Sequence, residues 1–264
     1  MKNFMLRFKL LLLLIFVITS CSSDDSNPLI VLPLTGSVKK ITETIYYGLT
    51  SETYEIDFNY ENGALKSISS GNLYKSEFFM DGNKVIQTKS YSNNILTATN
   101  NLSYDGINLK SIIQTDNSEK TDFTYANGLL SSSKSYYSDN VNGWIPIKSE
   151  NYFFNSSSNN NKRITTNYQF SNVPEKTTYE FDSKNSVFKN MNIYLSKILL
   201  FESFSSISTN NIIKQFSYPD VDSNVATQNV YYTIVYNSTN FPINIKKYSF
   251  QFNELLSECT IVYN

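Results

Sequence analysis

The chain has no histidine. That absence removes imidazole-based catalytic triads, zinc sites with imidazole ligands and the usual proton shuttle near neutral pH. Cysteine is nearly missing as well, with only Cys21 and Cys259. Cys259 alternates with Ile261 and Tyr263 as a core residue does, which makes it a buried, inert thiol rather than a nucleophile. Glycine (8), proline (6) and tryptophan (Trp144 alone) are scarce in 264 residues. Neither an Asp-x-Asp-x-Asp-Gly calcium loop nor a glycine-rich phosphate cradle occurs, so no metal or cofactor is expected. Basic residues stand singly apart from Lys39-Lys40, Lys162-Arg163 and Lys246-Lys247, whereas nucleic-acid binding needs a clustered basic face. A period of 3.6 is nowhere sustained, and the one long apolar run is Leu10 to Ile18.

What is present begins with that run. Lys2, Arg7 and Lys9 supply a positive flank, nine apolar residues follow, and Thr19 and Ser20 lead to Cys21. Nine residues are too few for a spanning helix, which needs about 20, but they suit a secretory signal. Ile18-Thr19-Ser20-Cys21 resembles the lipobox of bacterial lipoproteins. The resemblance implies cleavage before Cys21, with acyl chains on its sulfur and amine that anchor the protein to a membrane. Residues 1–20 are then a lipoprotein signal peptide. With Cys21 lipidated, no disulfide can form in the mature domain. Losing Lys2, Arg7 and Lys9 leaves 19 basic against 23 acidic residues.

Residues 21–36 open with Ser22-Ser23-Asp24-Asp25-Ser26-Asn27-Pro28, a polar stretch that reads as a flexible tether. Its acidic pair resembles the export signal of surface lipoproteins in Bacteroidota-type bacteria. The expected location is the outer membrane, surface-exposed or periplasmic.

The remainder, 37–264, reads as one β-repeat domain. In Glu52 to Tyr60, Tyr54, Ile56, Phe58 and Tyr60 share one face, and Glu55, Asp57 and Asn59 the other, the pattern of a half-buried strand. A turn with Gly63 follows, and the same cadence returns around Gly82, Gly106 and Gly128, at spacings of 19, 24 and 22 residues. Turns this short permit only hairpins. The expected fold is all-β: an antiparallel meander of repeated hairpins forming a long twisted or curled sheet. Past Tyr137 the polar loops lengthen, and Trp144 to Phe154, Ile212 to Tyr218, Asn229 to Tyr236, Ile243 to Phe252 and Glu258 to Tyr263 read as strands. Between them, Tyr194 to Phe204 suits a short helix or a buried strand equally.

The aromatic-x-aromatic-acid/Asn-Gly-x-Leu cadence of 58–65, 102–109 and 123–130 resembles the tyrosine–aspartate repeats of secreted bacterial shell proteins. Its turns are shorter, and encapsulation is not implied. The lipobox, the hairpins and Phe-Asp-x-Lys-x-x-x-Phe-Lys at 181–189 together resemble a group of uncharacterised Bacteroidota-type lipoproteins, a resemblance that brings no activity with it.

Two functions compete. Paired rings such as Tyr46-Tyr47, Phe78-Phe79, Tyr136-Tyr137, Phe153-Phe154 and Tyr231-Tyr232 place one ring on each face of a strand. Either a second layer or curling of the sheet covers the outer ones, or they are exposed and bind a glycan or protein. A non-catalytic binding or structural module is the reading favoured by these residues. The alternative is a carboxylate-based glycan-degrading enzyme, which needs two converging Asp or Glu that the sequence does not single out.

Overall fold

The structure, a computed structural model, describes residues 36–139, 142–191 and 208–264. All the described residues belong to one compact unit, Val31–Asn264. The signal segment, Cys21, the tether before Gly36 and all of the ambiguous 194–204 segment lie outside the described residues.

Among the described residues sixteen strands follow one another: β1 (Val38–Tyr47), β2 (Thr50–Glu61), β3 (Ala64–Ser70), β4 (Tyr74–Asp81), β5 (Lys84–Ser92), β6 (Ile95–Asp105), β7 (Asn108–Gln114) and β8 (Glu119–Ala126). They continue as β9 (Leu129–Asp139), β10 (Gly143–Phe154), β11 (Asn160–Asn167), β12 (Ser171–Phe181), β13 (Ile212–Tyr218), β14 (Gln228–Tyr236), β15 (Pro242–Ser249) and β16 (Leu255–Tyr263). Each pairs antiparallel with its neighbours in sequence, the meander expected from the short turns.

The sheet does not stay open as a long twisted ribbon. β1 pairs with β16, Ile41 opposite Ile261 and Glu43 opposite Cys259, and closes a 16-stranded barrel without a free edge. Bulges recur one pair in from the turn at one end of the barrel, between Asn59/Tyr60, Phe79/Met80, Ser103/Tyr104 and Thr124/Tyr125. Bulges increase local twist and bend the strand, which curls the sheet towards closure.

The turns at this end, the floor of the barrel, contain the four glycines. Gly63 at φ +78° follows Asn62 at +51°, and Gly128 at +76° follows Asn127 at +52°, consecutive left-handed residues as a type I′ hairpin turn requires. Gly82 and Gly106 occupy the first turn position at +55° and +58°. Inside the floor end, Val38, Ile41, Phe58, Phe78, Leu109 and Ile261 belong to one buried apolar cluster.

The Phe-Asp-x-Lys-x-x-x-Phe-Lys segment completes the floor. Phe181 ends β12, Val187 is buried, and Phe188 packs its ring 6.0 Å from that of Phe58. Asp182 fastens the base of this excursion. It accepts the Tyr236 hydroxyl, the Asn211 backbone N–H at 3.1 Å and the Asn211 side-chain amide at 3.2 Å. Lys184 Nζ donates to Asn240 Oδ1 at 2.8 Å. The segment is thus a structural plug.

Candidate functional site

Alternation sends Ile41, Ile56, Phe58 and Phe78 inward, so Lys40, Glu55, Lys75 and Glu77 face outward. The outer wall is accordingly laced with ion pairs: Lys40 to Glu55 at 2.8 Å, Lys75 to Glu77 at 2.7 Å, Lys120 to Asp122 at 2.7 Å, Lys214 to Glu180 at 2.8 Å and Lys246 to Glu258 at 3.5 Å. The Lys75 ammonium, followed by the Tyr91 hydroxyl, holds the Glu77 carboxyl below its usual range. Such pairs add little stability each in water, but a Lys or Arg on the wall at a bilayer midplane costs about 2–4 kcal/mol.

The aromatic pairs divide between the faces. Phe78 is buried in the lumen, while Phe79 lies outside beneath Lys66 and Lys89, whose ammonium groups are 5.5 and 4.9 Å from the ring centre. Tyr136 is covered similarly by Lys120 and Lys134. Curling of the sheet therefore covers the inner rings, and lysines cover several outer ones.

One outer sector is hollowed. A groove of about 580 Å³ over β10–β13 is lined by Phe153, Asn161, Lys162, Thr178, Tyr179, Glu180, Phe216 and Tyr218. It follows directly from register: Phe153 lies opposite Lys162, Lys162 opposite Thr178, and Thr178 opposite Phe216. Two small or flexible residues thus sit between two rings three strands apart, about 14 Å at the usual strand spacing. Lys162 Nζ lies 4.1 Å over the Phe153 ring. Lys176 Nζ lies 4.4 Å over Tyr218 and is tied to the carbonyls of Val221 (3.0 Å) and Ser223 (2.8 Å), which fixes that end of the groove. Glu180, the one carboxylate in the lining, is paired with Lys214.

Inside the barrel, Glu150 forms a second polar centre. It is reached by Lys148 at 3.2 Å, Arg163 at 3.4 Å and the Tyr152 hydroxyl at 3.0 Å. Burial, then the Glu150 charge, pushes the Tyr152 phenol well above its ordinary range. Glu150 is engaged from three sides and buried, the arrangement of a structural charge rather than a free base.

Cys259 is 3 % exposed, and burial, followed by the neighbouring Glu43, raises its thiol far above the ordinary range. Among the described residues no three His, Cys, Asp or Glu side chains assemble a metal site. Sequence reasoning did not find the groove. The ring pair Phe153-Phe154 pointed to the strand, but the partners of Phe153 lie 9 to 63 residues away and are set by register.

No protein family and no curated protein matches the chain. Among solved structures it is similar to a porin-like protein from Bacteroides vulgatus, at 13 % identity over 86 % of this chain and 98 % of that one, with a TM-score of 0.45. A porin-like protein from Bacteroides uniformis gives 10 % identity over 87 % and 98 %, with a TM-score of 0.37. A structure of TcdB2-TccC3 gives 12 % identity over 83 % of this chain and 11 % of that one, with a TM-score of 0.33. Scores this low do not establish a common fold.

Proposed function

We propose that this chain is a lipid-anchored protein of the bacterial envelope, held to the outer membrane through Cys21, whose barrel wall stands outside the hydrocarbon and binds a glycan along the β10–β13 groove without catalysis. The groove itself carries the reading: two rings at fixed separation, a third at its end, and amide, hydroxyl and ammonium groups between them. Sugar rings present both C–H faces for stacking and hydroxyls for hydrogen bonds, and this lining offers partners for both. The ion-paired outer wall supports a barrel outside the hydrocarbon, with acyl chains as the attachment.

Glycoside hydrolysis would use two carboxyl groups about 5 to 9 Å apart. The groove lining supplies Glu180 alone, already paired, which favours binding over turnover.

The test is a glycan-array screen of the processed chain, followed by titration of Phe153→Ala and Phe216→Ala. Each should weaken binding about tenfold, or about 1.4 kcal/mol, with the unfolding midpoint little changed. Turnover of a polysaccharide, abolished by removing one Asp or Glu pair, would overturn the non-catalytic reading. In cells, Cys21→Ser should abolish acyl labelling and leave the precursor uncleaved; normal processing of the Ser variant would refute the anchor.

A further inference from the structure

The two rims of the barrel differ in chemistry. Among the described residues, the floor turns carry Asn62-Gly63, Gly82-Asn83, Asn127-Gly128 and the Asn237–Asn240 stretch, the usual polar hairpin residues, with Ile107 the exposed exception. At the opposite rim, six separate hairpin ends each present an exposed apolar side chain: Leu49, Leu73, Ile95 at the start of β6, Phe170, Val225 and Phe252. Leu49 is fully exposed, and Phe170 is 87 % and Val225 74 % exposed. Just behind these tips, Tyr47, Tyr74, Trp144 and Tyr168 are also exposed.

We infer that this rim is a membrane-contact surface that rests in the interface of a zwitterionic lipid bilayer. A protein interface buries a contiguous apolar centre surrounded by a polar border. Here the apolar residues are single tips distributed around a closed ring at one end of the barrel, which suits a broad, soft surface. The second tier is the arrangement found at membrane boundaries, where Tyr and Trp sit at headgroup level behind more deeply inserted aliphatic and Phe groups. The charge at this rim selects among bilayers. Asp116, Asp220, Asp222 and Glu254 lie in its turns, so an anionic lipid surface is disfavoured.

The tether is compatible with this contact although Gly36 enters the barrel at the floor, beside Asn264. Fourteen residues, the number between Cys21 and Gly36, can span at most about 46 Å, whereas a strand of ten residues is about 34 Å long, and less along the barrel axis once tilted. A lipid on Cys21 and the far rim can therefore reach the same bilayer.

The experiment uses the processed, full chain in phosphatidylcholine vesicles with brominated acyl chains, which quench tryptophan by contact. Trp144, the only native tryptophan, is first changed to Phe. Phe170→Trp then reports the apolar rim and Ile107→Trp the floor. Several-fold quenching and a blue shift are expected for Phe170→Trp and neither for Ile107→Trp, with little effect of salt. Quenching at the floor alone, or no quenching at Phe170→Trp in chain that sediments with the vesicles, overturns the inference. So does a blue shift of Phe170→Trp that depends on protein concentration without quenching, which would mark a protein interface. Acyl labelling of Cys21 in the same preparations reports the anchor separately, so its failure is distinguishable from failure of the rim contact.

Discussion

The hydroxyl of Tyr104, next to the end of β6, donates to the backbone carbonyl of Val85 near the start of β5 at 2.8 Å. The same bond recurs from Tyr60 to Val38 and from Tyr263 to Pro242, each at 2.9 Å. In all three the ring packs on the apolar floor while its hydroxyl satisfies a carbonyl on the neighbouring strand. Repeated tyrosines before the floor turns are thus braces. Tyr104→Phe keeps the ring and leaves the Val85 carbonyl short of a donor, so it should cost about 1 kcal/mol, read as a lower urea midpoint at unchanged slope. No change would show that the bond adds nothing over water.

Alkaline pH should act through the same residues. Burial pushes the Tyr60 phenol up to about 12, and raises those of Tyr263 and Tyr232 further. A phenol in the unfolded chain ionises at about 10. Between these values the unfolded state binds fewer protons, so stability falls as pH rises. The contribution is intact below about pH 10 and is lost as pH climbs through the folded values. Denaturation curves at increasing pH, with tyrosinate absorbance as a second probe, should show the loss beginning near pH 10; a flat profile would contradict it.

Gly128 sits at φ +76° with open space around the position of a Cβ. Gly128→Val therefore meets backbone strain without steric collision, and should destabilise by about 1 kcal/mol or more. Gly128→Asn, which tolerates this conformation better, should recover much of the loss. Equal stabilities of the Val and Asn variants would show that the strain is absent.

Phe188 closes the floor against Phe58, although it is only partly buried. Phe188→Ala should cost about 2 to 3 kcal/mol, below the 3–5 kcal/mol of a fully buried ring, and speed amide exchange at the floor more than at the other rim. Uniform exchange would show that the plug is passive.

Much of the barrel wall was legible in the chain before its structure. Strand positions such as Ile212 to Tyr218 follow from alternation, and the hairpins follow from residues that accept positive φ. These are local properties, dictated by neighbours within a few residues. The inert character of Cys259 was readable for the same reason, because its face is set by Ile261 and Tyr263.

What only the tertiary structure decided is non-local. Period two says which residues share a face, but not whether β1 meets β16; that depends on twist and bulges summed over sixteen strands. Closure converts one face into a lumen and the other into a salt-bridged wall. It also gathers Phe153, Lys162, Thr178 and Phe216 into one groove and brings six distant turns to a single rim. Phe-Asp-x-Lys-x-x-x-Phe-Lys was visible as a pattern, yet its role as a plug needed a floor to fill. Residue identity determined which surfaces this chain could present, while register and closure decided which side chains stand together on them.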